Sequence, residues 1–373
     1  MSSYGKVEPY KTEAPTTTYR LFGFFRFGLA LMVVVSHSVQ LGGTEIQSVP
    51  GPWGLGNIAV MVFFCLSGYI IIIAEALDVF YHRRTGKFLI NRALRIIPPY
   101  LAALLFSLLA HLWLDSLGKM EFFDYDVAPA GIFSGQNLLS NFLLIFVLYG
   151  LGHAGLQPDY PFVRYVWAVR VEIHFYLVYA FLCWILNVRR FFGMFCRYVM
   201  PIAFALFSIL FLLSLWTNAS YLNYFSFAPY FMLGVSVYLA IERDNKAAGL
   251  ATILSLVMSV SHFVIYVGKG AQSFVLGPAI LLLILIAAVA ILAYTRKGRA
   301  LKQLDQWLGD LSYPIYLNHY VVTIVMLSLF PVGSPRIFLF CIALSVAVSW
   351  AVALLTEPLT KGLRNRVRGV ALR

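Results

Sequence analysis

Charge is what this chain has least of. Only 12% of its 373 residues are Asp, Glu, Lys or Arg, while 61% are hydrophobic; soluble domains carry about a quarter charged. Acidic residues are the scarcer sign, 16 against 28 basic. That balance excludes a water-soluble core protein, because apolar stretches of about 18 or more residues recur along most of the length. Cysteine is scarce as well. Cys65, Cys183, Cys196 and Cys341 lie in or beside apolar runs without metal-ligand spacing. They imply neither a disulfide framework nor a metal site and read as small buried hydrophobes. No Gly-rich nucleotide loop follows a strand pattern, which argues against an ATP-driven pump. Residues 1–19 are polar, so no secretory leader is expected. Internal repeats and low-complexity tracts are absent.

What is present is a series of helix-length apolar segments, at 20–42, 56–77, 88–113, 164–187, 197–216, 224–241, 250–268, 272–294, 309–330 and 336–356. The net charge of +12 does not imply nucleic acid, because it sits in short loops and in the tail Lys361, Arg364, Arg366, Arg368, Arg373. Such basic loops face anionic lipid on the cytoplasmic side. His82 to Lys87, Arg189-Arg190 with Arg197, and Arg296 to Arg299 therefore read as cytoplasmic, and 43–53 and 115–136 as external. Asn137 to Gly150 is apolar but too short for a core about 30 Å thick, and reads as interfacial or re-entrant. The expected fold is all-α: a polytopic transmembrane helical bundle of about ten spans with both termini cytoplasmic. Residues 1–19 form a polar cytoplasmic segment, 20–358 the membrane domain and 359–373 a basic tail, with Glu357-Pro358 ending the last span.

Polar residues inside these spans carry the functional signal. Arg26 and His37 interrupt the run Leu21 to Leu41 and lie eleven positions apart. That is close to three helical turns, so both fall on one face about 16 Å apart along the axis. A cation in hydrocarbon costs roughly 2.5–3.5 kcal/mol on insertion scales, which points to a pathway or reaction site. Snorkelling of Arg26 and a satisfied buried histidine are the structural alternatives. In the second span, Ser67-Gly68-Tyr69 offers a close helix approach and an interhelical hydrogen bond. In the third, Arg92 and Arg95 share a face just before Pro98, Pro99 and Tyr100. They read either as membrane anchors or as paired guanidinium forks for phosphate. The prolines would kink the helix unless neighbours absorb the freed carbonyls, which suggests a cavity. The fourth span brings Trp167, Arg170, Glu172 and His174. An out-to-in direction places Glu172 at the depth of His37, where the two could pair for general base catalysis on a hydroxyl, or form a structural pair. Near the C-terminus, Tyr316 and His319 form another polar face. No partner stands at metal spacing from His319, so no metal is expected.

In series, these segments resemble acyltransferase family 3, integral-membrane enzymes that O-acylate bacterial surface saccharides. The matching pieces are Arg26 with His37, Phe63-Phe64 to Ser67-Gly68-Tyr69, Arg92-x-x-Arg95, Trp167 to Glu172 with Phe175-Tyr176, and Ser312 to His319. One departure is visible: Ala168-Val169-Arg170-Val171 precedes Glu172, and Ile173-His174 follows in place of a second acidic residue. The resemblance implies the bacterial inner membrane and an acyl-coenzyme A donor, usually acetyl-coenzyme A. It also implies a saccharide or glycolipid acceptor and an association with polysaccharide-assembly machinery. A stand-alone membrane domain is expected. Under it, Arg92 and Arg95 hold the donor phosphates, His37 is general base oriented by Glu172, and Arg26 steadies charge on the thioester oxygen. Ser67, Tyr69, Trp167, Arg170, Tyr316 and His319 support the substrates. The alternative class is a secondary transporter using the same buried charges.

Overall fold

Apolar segments leave the backbone one way to satisfy its hydrogen bonds away from water, the α-helix. The computed structural model describes residues 20–41, 53–76, 85–119, 129–143, 162–185, 204, 208–209, 211–213, 224–242, 246–268, 276–295, 301–330 and 336–368. Its helices in chain order are α1 (Phe22–Leu41), α2 (Trp53–Ala76), α3 (Thr85–Ser116), α4 (Pro129–Ile132), α5 (Gly135–Leu143), α6 (Trp167–Ile185), α7 (Ala228–Glu242), α8 (Lys246–Gly268), α9 (Leu276–Tyr294), α10 (Lys302–Leu329) and α11 (Arg336–Arg368). Short 3₁₀ turns at Arg164–Val166 and Tyr224–Phe227 lead into α6 and α7. Among the described residues, four stretches are long and apolar enough to cross a membrane: Gly86–Ser116, Ala248–Ile265, Leu276–Tyr294 and Ile337–Val367. Phe22–Ser38, Leu55–Ile70 and Ala228–Ile241 are shorter apolar helices. Most of the segment at 197–216 and the basic loops at 82–84, 189–197 and 296–299 lie outside the described residues.

Paired residues give the relative directions. Phe24 meets Asp305, His37 meets His319 and Ser38 meets Thr323, so α1 and α10 run parallel. Phe88 packs on Tyr176 while Ser107 reaches the carbonyl of Phe162, so α3 and α6 run antiparallel. Two places show why the helices approach so closely. A methyl added at Gly68 would run into the carbonyl of Phe231, and one at Gly234 into the carbonyl of Cys65, so only glycine lets α2 and α7 touch backbone to backbone. Gly23 and Gly309 do the same for α1 and α10. There the Asp305 carboxylate accepts the Phe24 N–H at 2.9 Å.

Two expectations need revision or limits. α11 continues through Pro358 to Arg368, so Glu357-Pro358 is not a helix stop. Near it, Thr356 and Thr360 donate hydroxyls to the carbonyls of Val352 and Thr356, keeping hydrogen bonds within the helix. The segment expected to be interfacial is helical only as far as Leu143 in the described part. The nine described residues of that helix are fewer than a crossing needs. Its Asn141 accepts the Phe162 N–H on its side chain and the Tyr100 hydroxyl on its carbonyl, tying α5 to α3 and to the head of α6.

Candidate active site

Arg26 and His37 share a face of α1 as their spacing predicts, but each has a different company. Around Arg26 opens a cleft lined by Arg26, Ser67, Arg92, Arg95, Ile96, Glu172, Tyr176 and Tyr313. Five helices, α1, α2, α3, α6 and α10, supply these side chains. Glu172 accepts hydrogen bonds from Ser67 Oγ at 2.7 Å and from the Tyr176 hydroxyl. Its bonds thus go to hydroxyls, and three guanidinium charges face one carboxylate, a net of two positive charges. Arg92 is buried, with its guanidinium 5.4 Å from the Phe88 ring centre and 5.0 Å from that of Tyr176. Its Nε has no hydrogen-bond partner among the described residues. A buried cation stacked on aromatic faces with donors unspent is suited to an anion with several oxygens. The two prolines follow the cleft-lining Ile96 by two and three positions. α3 passes through both, and the Tyr313 hydroxyl donates to the carbonyl of Ile96 at 3.1 Å.

The second cluster surrounds His37. His37 Nδ1 and His319 Nε2 are 2.7 Å apart. The Tyr165 ring lies flat on the His37 imidazole, centres 3.9 Å apart and planes 8° apart. The Tyr316 hydroxyl donates to the carbonyl of Tyr165 at 2.6 Å, which fixes the 3₁₀ turn that presents this ring. Arg164 donates to the Tyr320 hydroxyl at 3.1 Å and covers its ring. Gly56 of α2 faces His37 Nε2: a Cβ built there would stand 3.6 Å from that nitrogen.

The pairing expected between His37 and Glu172 is not formed. His37 is held by His319 and Tyr165, and Glu172 by Ser67 and Tyr176. The reason is depth. Tyr165, in the turn ahead of α6, stands level with His37, and Glu172 follows seven residues later, about 10 Å further along at 1.5 Å per residue. Glu172 therefore lies about two turns from His37 and lines the cleft that Arg26 also lines. Arg26, eleven residues from His37 along α1, lines the cleft with Arg92 and Arg95.

Of the other expected site residues, Tyr316 and His319 join the histidine cluster and Ser67 joins the cleft. Tyr69 packs edge-on against Phe22 and Tyr238, and Trp167 against Phe64 and Phe227, in the surrounding core. Arg170 is buried, and its carbonyl lies 2.5 Å from His174 Nδ1. Sequence reasoning missed Tyr165, Tyr176 and Tyr313. Tyr176 carried a usable signal, four residues after Glu172 on the same helix face. Tyr165 carried none, because a non-helical turn presents it. Among the described residues, no group of three or more His, Cys, Asp or Glu gathers as for a metal.

Comparison with known proteins meets this geometry from another side. A family model described as an acyltransferase domain matches residues 22–354. An O-acetyl transferase of Shigella phage Sf6 is 32% identical over 114 residues, 30% of this chain and 33% of that protein. The match thus spans about a third of the curated relative's length. No solved structure matches the chain.

Proposed function

We propose, from the premise that this chain belongs to the acyltransferase family whose model it matches, that it is a membrane-embedded O-acyltransferase. It moves an acyl group, acetyl by preference, from acyl-coenzyme A to a hydroxyl of a saccharide or glycolipid. The observation that carries the proposal is the pairing, along one face of α1, of a three-arginine anion cleft with a hydrogen-bonded histidine. Coenzyme A brings phosphates to the first and a thioester to the second. Arg92 and Arg95, with Arg26 added, hold the phosphates. His37 takes the proton of the acceptor hydroxyl as its oxygen attacks the thioester carbonyl. The C–S bond then breaks, the ester forms, and the thiolate leaves to be protonated.

The proposal extends to orientation: ten crossings in the bacterial inner membrane, the arginine cleft inward and His37 toward the outer half. Support comes from the crowding of basic residues at one end of the bundle. There Arg20 donates to the carbonyl of Ala293 and Arg364 to Asn91, beside Arg92 and Arg95. This matches the charge bias of cytoplasmic surfaces. Relative helix directions support it too, since α1 and α10 run parallel and α3 and α6 antiparallel. A polysaccharide-assembly machine is the partner such an enzyme would serve.

Purified protein in liposomes, given acetyl-labelled acetyl-coenzyme A and a lipid-linked glycan, should place label on the glycan by mass spectrometry. Label that crosses the bilayer without joining an acceptor would instead identify a transporter. For orientation, a cysteine replacing Tyr125 should react with an impermeant thiol reagent from outside, and one replacing Gly298 should not.

A further inference from the structure

Which nitrogen of His37 is free to act follows from a chain of hydrogen bonds that begins on another helix. His319 is fully buried, and its Nδ1 lies 2.6 Å from the carbonyl oxygen of Tyr316, one turn back on α10. A carbonyl only accepts, so that nitrogen carries a proton. A neutral imidazole has one N–H, so His319 Nε2 carries a lone pair. That lone pair is 2.7 Å from His37 Nδ1. His37 Nδ1 must then donate, and its Nε2 is left as the lone-pair nitrogen, on the side of Gly56. The hydrogens are assigned from the network, and the network has one self-consistent neutral solution.

We infer that His319 is a positioning residue that fixes the tautomer and orientation of His37, the task a carboxylate performs for the histidine of a hydrolase triad. The relay here is carbonyl, imidazole, imidazole. Tyr316 serves it twice: its carbonyl sets the His319 tautomer, while its hydroxyl holds the turn whose Tyr165 ring lies flat on His37. A neutral partner has a consequence that a carboxylate would not. It orients His37 without adding a negative charge to the apolar interior, where burying one is costly. Gly56 lies on that side: a Cβ there would come within 3.1 Å of Ser36 Oγ and 3.6 Å of His37 Nε2.

This inference rests on His37 being the general base, and its test separates the two. Glutamine at position 319 can place an accepting oxygen close to where His319 Nε2 stands, whereas methionine fills similar space without accepting well. H319M should lower kcat roughly 10²- to 10⁴-fold, the span between losing a general base and losing its tautomer, with KM for acyl-coenzyme A unchanged. H319Q should restore kcat to within about tenfold of wild type, one hydrogen bond being worth about 1.4 kcal/mol at most in that comparison. Equal losses in H319M and H319Q, or no loss in H319M, would overturn the positioning role while leaving His37 as base. Full activity in H37A would overturn both. Should H319M fail to accumulate, nitrogen NMR of wild-type protein labelled at histidine decides the matter. A protonated Nδ1 and a bare Nε2 on His37 are expected, and the opposite tautomer would end the proposal.

Discussion

The two polar clusters on α1 are built on opposite plans. Around His37 the groups are closed on one another: imidazole to imidazole to carbonyl, with a ring laid across the top. Around Arg26 they are open, with three guanidiniums, one carboxylate already engaged by two hydroxyls, and a buried Arg92 Nε that has no partner among the described residues. A closed network fixes a direction, and an open one with excess charge leaves donors for a ligand. Under the proposed function, the first suits proton handling and the second anion capture. It also predicts that the two can be broken separately.

The sharpest break is at the closed cluster. H37A should cut glycan acylation by about 10²- to 10⁴-fold, the usual worth of a general base, while coenzyme A binding stays intact; mass spectrometry of the product and calorimetry of the donor report on each. Wild-type acylation would remove His37 from the mechanism. At the open cluster the pattern should invert. R92K or R95K replaces a two-pronged donor with a point charge and should weaken coenzyme A binding by about tenfold, with unchanged topology. Unchanged affinity would return both residues to membrane anchoring.

A finer test comes from the single carboxylate. Gln at position 172 keeps an acceptor for Ser67 and Tyr176 but removes the only negative charge lining the cleft. By Coulomb's law at an effective dielectric near 20, E172Q should tighten 3′-phospho-ADP binding by at least several-fold. Weaker binding would mean that Glu172 orients the arginines rather than opposing the ligand. The smallest effect belongs to S67A, which removes one hydrogen bond to Glu172. It should cost about 1 kcal/mol, read as a drop in melting temperature with no change in the His37 step.

Most of this site could be found from the sequence, and its internal pairing could not. Arg26 and His37 announce a shared face by spacing alone, and Arg92, Arg95 and Ser67 stand out as polar groups in apolar helices. Each turns up in one of the two clusters. The partner of His37 lies 282 positions away, set by the register of α1 against α10, and local periodicity carries no register information. The sequence reads the apolar segment at 164–187 as one span entered from outside, with Glu172 at the depth of His37. Its opening is instead a 3₁₀ turn that carries Tyr165 to the histidine level. Pro358 misled for a related reason: proline forbids one hydrogen bond but does not oblige a helix to end. Asn137 and Asn141, four apart in an apolar run, are a readable sign that α5 is anchored to its neighbours by polar contacts.

The clasp of Gly23 against α10 sets a further constraint on α1. It pins that helix near its start, and the Ser38–Thr323 approach holds it just beyond His37. Between those two fasteners the segment behaves as a ruler. Adding or deleting one residue there would swing His37 about 100° around the axis, off its partner, however conservative the residue chosen. The lipid-facing letters of this stretch are free to drift, but its length is not. A single codon gained or lost between positions 24 and 36 should be as damaging as losing the histidine itself.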